Sequence, residues 1–178
     1  MWLGTLKIIA WPGTFQHAPK ASQFQLQETY LIKAHSLYAL NRYQEAENAY
    51  VIALANVKKT DKRRLALIEN LAASVYKQAE ILLKEDKKQL AVAQLLRVGK
   101  VAPTSTLRQN AEYDAANYLI ELKKWPESIQ VLSDFRIAYP QHALINTLPA
   151  KLALAYRETA QWSLAADELK RMIALAKT

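Results

Sequence analysis

Three histidines are the first residues to test for chemistry. His17, His35 and His142 stand far apart, without partners at a metal-ligand spacing such as H-E-x-x-H. There is no cysteine, so a disulfide framework and any thiolate metal site are excluded. Gly4, Gly13 and Gly99 are too dispersed for a phosphate-cradling loop, and no G-x-S-x-G nucleophile turn occurs. Glu85-Asp86 and Asp167-Glu168 are adjacent carboxylates. Neighbouring residues on a helix or turn point different ways, so neither couple makes a general acid/base pair. The chain therefore reads as non-enzymatic, with no cofactor and no metal.

The remaining chemistry is that of recognition. Trp125, Trp162, Tyr50, Tyr76, Tyr113 and Tyr156 are stacking surfaces in one reading, as in single-strand nucleic-acid binders. The formal net charge of +8 points the same way. The cations, however, collect at bends: Lys58, Lys59, Lys62, Arg63 and Arg64 at one, Lys84, Lys87 and Lys88 at a second, Lys123 and Lys124 at a third. Clusters at inter-helix turns are solubilising faces, which ranks nucleic acid or another polyanion below a protein partner. Spacing makes Tyr50, Trp125, Trp162 and Tyr156 fillers of the core or of the joints between repeats.

The elements that position these residues are helices. Hydrophobic residues make up 51% of 178, with 3 Gly and 6 Pro, too little punctuation for a many-stranded β fold. No apolar run is long enough to span a bilayer. Residues 1–25 read as an irregular N-terminal segment or the tail of a preceding helix ending at Ile8, Ile9 and Trp11, and the chain as a piece of a longer protein. No secretory signal is convincing there, and cytoplasm and periplasm both stay open.

From Leu26 a helical period sets in. Tyr30, Leu31, Ala34, Leu37 and Leu40 form one stripe, and Ala46, Ala49, Tyr50 and Ala53 form the stripe of a partner helix. Leu65 to Leu83 reads as one long helix and Gln89 to Val101 as the next. Gln109 to Leu122 pairs with Pro126 to Ala138, and Pro149 to Thr159 with Ser163 to Ala176. Trp125, Ile129, Leu132 and Phe135 return as Trp162, Ala166, Leu169 and Met172, each 37 residues later. Such a period is the mark of a stacked helical array.

In register these residues resemble the tetratricopeptide repeat (TPR) family, whose unit is a helix-turn-helix of about 34 residues. Its small and large positions are matched by Tyr30, Ala34, Leu37, Ala46, Tyr50 and Ala53 in the first repeat. Val75, Ala79, Leu82, Ala91, Leu95, Val98 and Pro103 match in the second. Ala116, Leu119, Ser128, Leu132, Phe135 and Pro140 match in the third, and Ala153, Tyr156, Ala165, Leu169 and Met172 in the fourth. The units run roughly 27–60, 61–103, 104–140 and 141–178. Two spacings are 37 and the first is 45, longer than the family's own. Such stretched units, with the ending at Phe135 to Pro140, look similar to bacterial cell-envelope members.

The resemblance implies an all-α, right-handed solenoid of about four helix pairs. It also implies a concave groove that docks an extended or helical partner segment. Carried over residue by residue, the groove presents Tyr76, Lys77, Glu80, Asn110, Tyr113, Asp114, Asn117 and Lys151, with His35 and Arg157 beside them. The family's clamp for a C-terminal carboxylate is not matched, because its positions hold Leu31 and His35, or Tyr76 and Glu80. The function implied is a protein–protein interaction scaffold in a bacterial multiprotein assembly. A polyanion-binding surface, or a spacer that self-associates, is the alternative.

Overall fold

The structure, a computed structural model, describes residues 22–176. The reading of residues 1–21, including His17, lies outside them. Eight α-helices follow one another: α1 Gln23–Ala39, α2 Tyr43–Asn56, α3 Arg64–Lys84, α4 Lys88–Val101, α5 Leu107–Glu121, α6 Trp125–Ala138, α7 Leu148–Glu158 and α8 Trp162–Leu175. A single 3-10 turn, Ile145–Thr147, precedes α7. Each helix packs on its chain neighbours, and α3 also touches α5. This is an all-α, helix-pair solenoid held by nearest-neighbour contacts.

The first helix starts before the period set in. Ser22 caps it: its Oγ accepts from the Gln25 backbone N–H at 3.2 Å while the Gln25 side chain accepts from Ser22 N–H at 2.8 Å.

Within each pair the turn is the same. Asn41, Asp86, Lys123 and Ala160 all have φ between 56° and 59°, the left-handed region. The residue after each donates its N–H five residues back: Arg42 to Leu37, Lys87 to Leu82, Lys124 to Leu119 and Gln161 to Tyr156, at 2.8–2.9 Å. These are four Schellman ends, spaced 45, 37 and 37 residues apart. The turns thus carry the same period as the apolar residues, without a glycine in any of them.

The core runs as three linked clusters. Ala34, Leu37, Ala46, Ala49, Tyr50, Val57, Leu67 and Leu71 form the first. Ala72, Val75, Ala79, Ala91, Leu95, Val98, Ala111 and Ala115 form the second, and Ala116, Leu132, Phe135, Leu148 and Leu152 the third. Small residues bring helix backbones together, and Tyr50 and Phe135 fill the space beside them. Gly99 serves the same close approach: a Cβ there would meet Arg108 Nε at 3.0 Å and Glu112 Oε1 at 3.1 Å on α5.

Some apolar residues assigned to the core lie outside it. Leu40 is 65% exposed because it closes α1 as its C-terminal cap, and Leu65 is 71% exposed on the first turn of α3. Leu67 and Leu71 take the inward places instead. Trp162 is 65% exposed, not a filler, and Leu169 is 51% exposed. No described helix packs beyond α8, so its outer stripe meets water.

Candidate partner-binding face

The first helices of the last three pairs, α3, α5 and α7, carry most of the residues that the sequence nominates. Tyr76 on α3 is half-buried and donates its hydroxyl to the Asp114 carboxylate on α5. Burial first, and then that hydrogen bond, push its phenol well above the ordinary value. One repeat on, Tyr113 on α5 shares a hydrogen bond of 2.8 Å with Thr147 Oγ1, just ahead of α7. Lys151 Nζ on α7 lies 5.4 Å from the centroid of the same ring. The ring centroid is also 5.9 Å from that of Phe135.

Two clusters therefore form a row, Tyr76 with Asp114 and Tyr113 with Lys151. Lys77 and Glu80 stand beside the first as an ion pair at 2.7 Å. Asn110 is exposed and joins neither cluster, and the Oδ1 of Asn117 is buried without a hydrogen-bond partner. Both tyrosine hydroxyls are engaged inside the chain. What they offer a ligand is the edge and face of a positioned ring.

His35 does not stand alone on this face. Its Nδ1 is 2.8 Å from the Tyr50 hydroxyl, with the rings edge-on at 5.4 Å. Burial pushes the Tyr50 phenol up to about 12. His142 accepts from the Leu144 N–H through Nδ1 and packs its ring edge against Phe135. No group of three or more His, Cys, Asp or Glu among the described residues is placed to hold a metal ion. No described helix is long and apolar enough to cross a membrane.

The basic bends have structural duties that the sequence does not reveal. Arg63 binds Glu28 at 2.7 Å and Asp61 at 3.0 Å, tying the α2–α3 bend to α1. Arg64 donates to the backbone carbonyls of Leu54 and Val57 at 3.1 and 3.3 Å, closing the end of α2. Lys88 reaches Glu121 at 3.0 Å. Lys58, Lys59 and Lys62 stay exposed.

Carboxylates paired across successive repeats are the polar features that sequence reading missed. Glu47 on α2 is 3% exposed and accepts from Gln78 at 2.8 Å and from Arg97 Nη1 at 3.1 Å. Glu168 on α8 is 5% exposed and accepts from Arg136. Glu69 binds the Ser105 hydroxyl at 2.6 Å and the Thr106 N–H at 2.9 Å. Their partners lie 31 to 50 positions away, beyond any local motif.

No family model matches the chain, and no curated protein matches it. Among solved structures it is similar to MamA from Desulfovibrio magneticus RS-1, at 18% identity, TM-score 0.48, over 84% of this chain and 75% of that one. A second MamA crystal structure matches at 14% identity and TM-score 0.48, over 85% of this chain and 92% of that one. A kinesin light chain protein of Podosopora anserina with nearly identical TPR-like repeats matches at 18% identity and TM-score 0.44, over 86% and 74%. The class follows from the chain's own helices and turns: an all-α, TPR-like helical repeat solenoid.

Proposed function

We propose that the chain is a non-catalytic scaffold that binds a segment of another protein along the face shared by α3, α5 and α7, within a bacterial multiprotein assembly. The observation that carries this reading is the row of Tyr76, Asp114, Tyr113 and Lys151. Its rings are held in place by the Tyr76–Asp114 hydrogen bond between α3 and α5, by the Tyr113–Thr147 hydrogen bond from α5 to the turn ahead of α7, and by Lys151 over the Tyr113 ring. Rings already fixed lose little freedom when a ligand covers them, which is what makes aromatic residues effective anchors. Lys77, Glu80, Asn110, Asn117 and Lys151 supply polar register around them.

The pairing of Arg63, Arg64 and Lys88 within the chain favours this reading over polyanion binding, because those cations already have partners. The test is affinity capture from a nuclease-treated bacterial extract at low and at moderate salt. The baits are the native chain and a Lys151→Glu/Asn110→Asp variant. A defined protein retained at both salts by the native chain and lost by the variant supports groove binding. Retention at low salt alone, or loss on nuclease treatment, replaces it with polyanion binding, whose affinity falls steeply with salt.

A further inference from the structure

The end of α4 is the repeat-equivalent of the end of α6. Ala102 and Tyr139, 37 residues apart, each close their helix and donate the cap N–H four residues back at 2.9 Å. Their backbones agree, φ −136° and ψ 67° against φ −131° and ψ 58°, and a proline follows both. At the later joint the chain fills the space itself. The Tyr139 ring packs edge-on against Phe135 at 4.9 Å, and the Arg108 guanidinium stands 6.0 Å from its centroid. Glu112 meets Arg108 at 2.7 Å. At the earlier joint alanine supplies no ring. A hollow of about 500 Å³ lies there, walled by Leu54, Ile68, Leu71, Val101 and Ala102, with Val51 48% exposed at its edge. Arg64 lines it from the first turn of α3, as Arg108 comes from the first turn of α5. Its partners are the carbonyls of Leu54 and Val57, and no carboxylate among the described residues meets it.

We propose that this hollow is a second docking site, separate from the face of α3, α5 and α7, for an acidic segment of another protein that inserts one aromatic ring. The later joint is the template for the occupant, because there an arginine is matched by a ring and a carboxylate together. The earlier joint has the arginine and lacks both. Its volume is that of a ligand pocket and its walls are apolar, which suits a ring, and a cation beside the ring face adds attraction. The rim calls for the carboxylate. Lys58 and Lys59 continue from Val57, stay exposed and have no acidic partner among the described residues. Asp61 and Glu28, the carboxylates of this bend, are both engaged by Arg63. The same charge disfavours a second copy, which itself carries +8. The hollow lies between the first two pairs and is walled by α2, α3 and α4, so a following repeat unit does not reach it. Arg64 and Tyr76 are twelve residues apart on α3, about 18 Å along its axis, which keeps the two sites distinct.

Amide NMR of the isotope-labelled full chain tests this, titrated at moderate salt with a short peptide that carries one tryptophan among glutamates. The controls are the same peptide with alanine for the tryptophan, and with glutamine for every glutamate. Ala102→Tyr refills the hollow from within, on a backbone that already matches that of Tyr139. The expected shifts gather in the last turn of α2, the first turn of α3 and residues 101–104. Ala102→Tyr weakens binding more than tenfold, and Lys151→Glu in the other face leaves it unchanged. Loss of the ring costs more than tenfold and loss of the carboxylates several-fold. Should Ala102→Tyr lose helix by circular dichroism, Val51→Glu gives the second reading: it sets a like charge at the exposed edge and weakens binding several-fold. No shifts at millimolar peptide, shifts centred on Tyr113, or binding indifferent to the ring overturn the proposal. Shifts at the hollow on dilution alone would seat a second copy there. Peptide-driven shifts in residues 1–21 would seat the chain's own N-terminal segment. Either result also overturns it.

Discussion

Arg136 on α6 holds the nearly buried Glu168 on α8 through two parallel hydrogen bonds, Nη1 to Oε1 and Nη2 to Oε2, each 2.7 Å. The pair skips α7 and ties the last second helix to the one before it. Its side chains are 28% and 7% exposed. A bidentate guanidinium–carboxylate pair of this kind is strong because both oxygens are met at once.

Removing one member leaves the other charge poorly solvated. Arg136→Ala is expected to destabilise the chain by about 2 kcal/mol, less than a fully buried pair would cost because part of the guanidinium meets water. Arg136→Met/Glu168→Leu should recover most of the loss. Urea unfolding of the three proteins decides it. If the double variant is as unstable as the single one, the packing of these side chains matters more than their charge.

The four Schellman turns make a prediction about sign. Ala160 has φ 57° and a Cβ that this region disfavours. Ala160→Gly should stabilise by about 0.5 kcal/mol, the relief of strain less the entropy of glycine. Asn41 tolerates the same φ, and its Oδ1 accepts from the Tyr43 hydroxyl at 2.6 Å. Asn41→Gly should therefore be neutral or destabilising. Thermal melts of the two variants beside the native chain separate the signs.

Acid should loosen the joint between the second and third pairs. Burial raises the Glu69 carboxyl, but hydrogen bonds from Ser105 and Thr106 together outweigh it and hold the group below its ordinary 4.5. The unfolded chain then binds the proton more readily than the folded one. The stabilisation is present above pH 4.5 and is lost as pH falls through the lower folded value. Glu69→Gln should flatten this part of the stability profile measured by urea midpoints between neutral pH and pH 3 or so. An unchanged profile would assign the acid sensitivity to other carboxylates.

Alkali should act in the opposite sense. Tyr50 and Tyr76 both have phenols raised above the ordinary 10.0, chiefly by burial, and Tyr76 also by its bond to Asp114. Their contribution is complete below pH 10 and is lost as pH rises toward the folded values. Tyr76→Phe should remove part of that slope and cost about 1 kcal/mol at neutral pH, since Asp114 loses its donor. Ultraviolet titration of phenolate against pH, with the unfolding midpoint followed in parallel, measures both. Ionisation of every tyrosine near its ordinary value would contradict the burial of these two.

The amino-acid sequence by itself determined the helices, their antiparallel order and the repeat. Each of these is written in neighbouring residues: the apolar period from Leu26 onward, the small residues Ala34, Ala46, Ala79, Ala91 and Ala116, and the turns spaced 45, 37 and 37 apart. It also nominated Tyr76 and Tyr113, whose place in the unit the resemblance supplied. Only the tertiary structure decided how those rings are held, because Asp114, Thr147 and Lys151 come from the next repeat. The same is true of Glu47 with Arg97 and Glu168 with Arg136, which are set by the stacking of second helices and leave no local trace. Trp125 and Trp162 show the division most simply. Their surroundings in sequence are alike, yet α7 covers the stripe of α6 while no described helix covers that of α8. Burial depends on what lies across a stripe, and a repeat written into one helix does not contain that information.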